Sequence, residues 1–242
     1  MKPLARRKQH CFGKGLALLF LPLLAFLFFS CGRSSPRGGQ NDEVERLEKK
    51  AERYAREIDR MVSLYEREAA VQARLGHILM QRRNFGAALE HLQEAESLRP
   101  TDPDIRLDLA ICFANLSRLD SSYLEKAEKE YFNVLKLDPK NSQAHYGLAQ
   151  LFRFEGKIRE AKDHCRKALA IDPGYPQAHA LTAALAAEEG NLPLAAAHYR
   201  SALDAFPKNS AEIVSVARAY ADVLRAMGKP NEAREILDRF VP

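Results

Sequence analysis

The chain has 242 residues, room for one or two ordinary domains, with 37 Lys and Arg against 32 Asp and Glu for a formal charge of +5. All of the excess lies in residues 1–30, where Lys2, Arg6, Arg7, Lys8 and Lys14 face no acid, and the remaining 32 basic residues balance 32 acidic ones. A basic leader on a neutral body leaves no electrostatic footprint for nucleic acid. Cys11, Cys31, Cys112 and Cys165 form no CxxC pair and no Cys/His cluster, so the spacing indicates neither a metal site nor a disulfide framework. Cys112 and Cys165 are expected to be small buried hydrophobes.

The leader comes first. A cationic start, an apolar run of 14 residues from Leu16 to Phe29 and a small residue, Ser30, make the profile of a secretory signal. The run falls short of the ~20 residues that a helix needs to span a bilayer. Leu27-Phe28-Phe29-Ser30-Cys31 resembles the lipobox of bacterial lipoproteins, with the departure that Phe28 stands where a leucine is expected. The resemblance implies that residues 1–30 are a signal peptide and that Cys31 is acylated as the mature N-terminus. It places the chain in the bacterial cell envelope, lipid-anchored and facing the periplasm. Gly32 is not the aspartate that retains some lipoproteins at the inner membrane, so the outer membrane is preferred. Residues 31–41 are then the lipidated cysteine and a polar tether with an r.m.s. reach of roughly 18 Å.

Residues 42–68 are predicted to form a long charged helix. Val44, Leu47, Ala51, Tyr54, Ile58, Met61 and Tyr65 recur at alternating steps of three and four amid charged neighbours. This stripe has two readings, a seam joining copies of the chain or a cap packed on the array of residues that follows it. Ala55, Val62 and Leu64 occupy places where a coiled coil carries paired charges, which favours the cap.

From residue 69 to 242 the chain repeats itself. Pro100, Pro139, Pro173 and Pro207 lie 39, 34 and 34 residues apart, each closing an apolar helical segment. Five units share the same offsets, at about 69–102, 103–141, 142–175, 176–209 and 210–242. The first has Leu75-Gly76, Ala88 and Leu92; the second Leu109-Ala110, Ala127 and Tyr131; the third Leu148-Ala149, Ala161 and Cys165. The fourth has Ala183, Ala195 and Tyr199, and the fifth Tyr220-Ala221, Ala233 and Leu237. The small residues let two helices approach, the residue four after the alanine fills the space between units, and Gly156, Gly190 and Gly228 suit a left-handed turn. The second unit carries about five extra residues near Ser117–Ser122, and the fifth starts about four residues late.

This pattern resembles the tetratricopeptide repeat. The resemblance implies an all-α, right-handed superhelical solenoid of about five hairpins that binds partner proteins in a concave groove lined by first helices. Carried onto this sequence, the groove residues are His77, Met80 and Gln81, then Leu107, Ile111 and Asn115, then Tyr146, Gln150 and Arg153, and finally Arg218, Asp222 and Arg225. His77 and Ile111 stand where some members carry a clamp for an acidic C-terminus, which excludes that ligand here. No phosphate loop, nucleophile elbow or HExxH motif occurs, so neither catalysis, a cofactor nor a metal is expected. The expectation is a non-catalytic envelope scaffold or adaptor for a protein or peptide partner. The alternatives are an oligomeric structural lipoprotein built through residues 42–65 and an accessory subunit of a periplasmic solute-binding system.

Overall fold

The computed structural model describes residues 38–208 and 210–241. The expected signal peptide, Cys31 and most of the expected tether lie outside the described residues. Among those described there are ten helices and no strand. They are α1 (Gly38–Gln81), α2 (Phe85–Leu98), α3 (Pro103–Leu116), α4 (Ser122–Leu137) and α5 (Ser142–Phe154), followed by α6 (Ile158–Ile171), α7 (Pro176–Glu188), α8 (Leu192–Ala205), α9 (Glu212–Ala226) and α10 (Pro230–Phe240). No described helix is long and apolar enough to cross a membrane.

Local sequence sets the helix ends. The side chains of Asn84, Asp102, Asn141 and Asn191 accept hydrogen bonds from the first free backbone N–H groups of α2, α3, α5 and α8. Pro103, Pro176 and Pro230 open α3, α7 and α10, where a missing N–H costs nothing. Gly156, Gly190 and Gly228 turn between paired helices at φ +75°, +79° and +75°. Arg83 holds the same register in the first hairpin, five residues before the buried alanine, at φ +59°.

Packing follows the repeated small residues. Ala88, Ala127, Ala161, Ala195 and Ala233 are all 0% exposed, and Gly76, Ala110, Ala149, Ala183 and Ala221 are buried across from them. A Cβ on Gly76 would sit 2.6 Å from Leu92 Cγ, so glycine sets the separation of α1 from α2. Four residues after the first four alanines, Leu92, Tyr131, Cys165 and Tyr199 are buried, and Leu237 after the fifth is half-buried. Cys112 and Cys165 are free and buried, and burial pushes the Cys112 thiol up to about 12 and the Cys165 thiol to about 11. The second hairpin takes its extra residues as a longer turn, Ser117–Ser121, and a 16-residue α4. In the fifth hairpin the extra residues are shared. Helix α9 starts five residues after Pro207 instead of three after the proline, and has 15 residues against 13 in α5 and α7.

A polar pair also ties the two helices of each of the first four hairpins. Gln72 Oε1 meets His91 Nδ1 at 2.7 Å, Arg106 meets Glu130 at 2.7 Å, and His145 and His179 meet the Nδ1 atoms of His164 and His198 at 3.1 and 2.9 Å. The partners are 19 residues apart, except for 24 in the lengthened second hairpin. Arg106 and His179 also donate to the carbonyls of Pro100 and Pro173, six residues upstream in both cases, locking each hairpin to the turn before it.

From α3 onward, first helices of successive hairpins touch one another (α3 with α5, α5 with α7, α7 with α9), and second helices do not. The stack therefore curves toward its first helices. The chain divides into compact units at residues 60 and 61, inside α1. The apolar stripe of α1, expected to be covered, is open to solvent: Leu47, Tyr54, Ile58, Met61 and Tyr65 are 50–57% exposed. Full burial in this helix starts at Ala69, and a second small residue, Gly76, lies buried against Leu92.

Candidate functional site

The inner face of the stack carries a groove of about 640 Å³ between α3, α5 and α7. Ile111 and Asn115 come from α3, Tyr146, Gln150 and Arg153 from α5, and Glu188 from the end of α7. Five of the twelve residues expected in the groove therefore line one hollow. Their spacing brings them together, because residues three and four apart in α5 share the face that looks inward.

Two groups organise this hollow. The first is aromatic. Tyr146 lies edge-on to Tyr175 with ring centroids 5.3 Å apart, and Tyr131 reaches the same floor from α4. Tyr131 is admitted by Gly147, where a Cβ would fall 2.2 Å from Tyr131 Cζ. Gln150 Nε2 donates to Tyr146 Oη at 2.7 Å. Burial pushes the Tyr146 phenol up to about 12, and burial raises Tyr131 and Tyr175 in the same direction. The second group is ionic. Arg153 Nε donates to Glu188 Oε1 at 3.1 Å and the terminal guanidinium nitrogen reaches the same oxygen, bridging α5 to α7 across the rim. Arg118 stands at the other edge, exposed.

The other expected residues lie elsewhere. Leu107 is 6% exposed and belongs to the core, with Met80 packed against that core and half-buried. His77 Nδ1 is engaged by Asp108 Oδ2 at 3.3 Å, and Gln81 is exposed at the end of α1. Burial is the larger influence on Asp108 and raises its pKa, while His77 opposes it. Arg218, Asp222 and Arg225 gather at the last hairpin with Leu237 and Asp238 around a separate hollow of about 380 Å³, and Arg225 is bound to Asp222 at 2.8 Å. Tyr131, Tyr175, Glu188 and Gly147 are among the groove residues that the expected set misses. Tyr131 sits on a second helix, Tyr175 in a connection, and Gly147 beside the hairpin contact. Among the described residues, no three His, Cys, Asp or Glu side chains converge as metal ligands.

Stacked helical hairpins with an aromatic inner groove define a solenoid of the kind that holds other proteins. Models of the tetratricopeptide repeat match residues 73–123 and 123–185. The chain is a tetratricopeptide-repeat protein, and proteins of this architecture are generally non-catalytic interaction scaffolds that bind protein or peptide partners.

Among solved structures, that of Pseudomonas aeruginosa pilF aligns at TM-score 0.61 with 21% identity, over 73% of this chain and 76% of that one. A thermophilic TPR protein of Thermus thermophilus aligns at 0.56 with 20% identity, over 71% and 91%. The hetero-tetramer Cut9-Hcn1 aligns at 0.65 with 14% identity, over 76% and 35%. At these identities the likeness is one of fold. By sequence, 89 residues are 32% identical to the TPR repeat-containing thioredoxin TTL4 of Arabidopsis thaliana, covering 37% of this chain. A stretch of 131 residues is 26% identical to Protein O-mannosyl-transferase TMTC1 of Mus musculus, covering 54%. The matches span 12% and 13% of those relatives' lengths.

Proposed function

We propose that the chain is a non-catalytic scaffold of the bacterial cell envelope, lipid-anchored through Cys31, that docks a helix or extended segment of a partner protein in the groove between α3, α5 and α7. The observation that carries this reading is the groove itself. It offers a rigid tyrosine floor, a donor hydroxyl on Tyr146 and an ion pair at the rim. Such a surface gives an apolar anchor, a directional polar contact and a charged edge within one hollow, the composition in which a few anchors supply most of the binding energy. The envelope location is supported by the leader, whose apolar run is too short to span as a helix and ends on Ser30-Cys31. Several acyl chains on one cysteine would hold the protein at a membrane surface where a single chain binds only marginally. The scaffold then works in assembling or stabilising an envelope complex, with Gly32 favouring the outer membrane.

The test is affinity capture from detergent-solubilised cells, comparing wild type with Tyr146→Ala plus Arg153→Ala at equal thermal stability. Loss of specific co-purifying proteins is expected, and an unchanged set removes the groove from the account. Membrane fractionation of Cys31→Ala tests the anchor separately. Processing and membrane retention identical to wild type would reject lipidation.

A further inference from the structure

The groove makes no use of the apolar face on the first part of α1. Val44, Leu47, Ala51, Tyr54, Ile58 and Met61 succeed one another at steps of three and four, and every large member is 39–57% exposed. An exposed apolar row spanning about 26 Å of helix marks a contact surface. We propose that this face binds the same face of a second copy of the chain, antiparallel, about a two-fold axis passing between Ala51 and Tyr54.

Side-chain volume selects that direction and register. With Ala51 of one copy opposite Tyr54 of the other, Leu47 meets Ile58 and Val44 meets Met61. Each of the six layers then holds one side chain from each copy, with the smallest set against the ring that needs room. A parallel pair in register would stack Ala51 on Ala51 and Tyr54 on Tyr54, leaving one layer hollow and the next overfilled, and both defects destabilise.

Charge selects the same arrangement. Lys50 and Glu57 flank the stripe, and in the antiparallel register Lys50 of each copy faces Glu57 of the other, giving two complementary contacts by symmetry. Glu48 then faces Ala55 and Glu43 faces Leu64, so the uncharged flanks are accommodated and no like charges meet. In the parallel arrangement Glu43 would face Glu48, while Lys50 and Glu57 would meet only Ala55 and Val62. Away from the stripe, Lys49 binds Glu45 at 2.6 Å and Arg56 lies over Glu52. Lys50 already leans along the stripe, its Nζ 5.9 Å from the Tyr54 ring centre.

The experiment is sedimentation equilibrium of the full chain in detergent, over a wide range of concentration, with charge swaps. Wild type is expected to show a monomer–dimer equilibrium. Lys50→Glu and Glu57→Lys, each of which turns two attractions into two repulsions, should weaken it roughly tenfold. The double variant should recover to within about threefold of wild type, because the exchanged charges again face one another. Circular dichroism of the same variants should be unchanged, since all the swaps lie on an exposed helix face. A monomer at every concentration overturns the proposal. So does a dimer indifferent to the single swaps, or a double variant as weak as the singles, because a parallel pair would not bring these two residues together.

Discussion

Helix α5 and the first part of α1 are both amphipathic, with apolar residues at steps of three and four, and yet they meet opposite fates. In α5, Ala144, Leu148 and Ala149 are 0% exposed, while in α1, Leu47, Tyr54 and Ile58 are half in water. Periodicity alone does not separate them. What differs is the hairpin chemistry around α5: a small residue at the crossing, an alanine at the facing position of α6, a left-handed glycine between them and a proline before them. Residues 42–65 carry an apolar face with neither the turn glycine nor the proline. A stripe with hairpin parts belongs to a core, and one without them is left as a surface.

The largest expected effect sharpens that contrast directly. Leu148→Ala should cost about 2–5 kcal/mol in urea unfolding, because it opens a cavity in a packed interior, whereas Leu47→Ala should stay within about 0.5 kcal/mol at concentrations where the chain is monomeric. Next comes Gly147→Ala. Its Cβ would press on the Tyr131 ring, whose neighbours on the groove floor leave it little retreat, and we expect a loss of about 1–3 kcal/mol together with weakened partner binding.

The third prediction concerns acid. The donation from His179 Nε2 to the Pro173 carbonyl leaves its Nδ1 as acceptor, so His198 Nδ1–H donates to it. Burial depresses His145 and His198 below the ordinary imidazole range and takes His164 to about 4. These three imidazoles thus bind fewer protons in the native state than in the unfolded chain below pH 6.5. Stability should be complete above that pH and fall as pH drops toward 4, by about 2 kcal/mol at pH 5 from His164 alone. Melting at pH 7.5 and pH 5 checks the sign, and a chain more stable at pH 5 would contradict it. The smallest effect is a gain. Arg83 occupies a left-handed turn that glycine fills in three other hairpins, so Arg83→Gly should stabilise by about 0.5–1 kcal/mol despite loosening the unfolded chain.

The hairpins were legible because their signals are local and repeated: proline spacing, the alanine of each second helix and the turn glycines. Part of the groove was legible for the same reason, since Ile111, Asn115, Tyr146, Gln150 and Arg153 occupy the inward positions of first helices. The rest depends on contacts between units. Leu107 holds the same register as Tyr146, seven residues after its proline, and is nonetheless drawn into the core. Tyr131 enters the groove only because Gly147, one helix away, makes space for it. His145 and His179 each stand six residues after a repeat proline, but their partners 19 residues on are set by how two helices cross. The five-residue insertion hides the matching Arg106–Glu130 pair from any fixed spacing.

The central claim is that the partner seats on the inner face between α3, α5 and α7. Photocrosslinking in living cells tests it most directly, with a photoreactive amino acid at position 150 in the groove and, separately, at position 166 on the exposed side of α6. The account predicts a discrete protein adduct from position 150, lost when Tyr146 is also changed to alanine, and none from position 166. Adducts of equal strength at both positions, or at 166 alone, would contradict it.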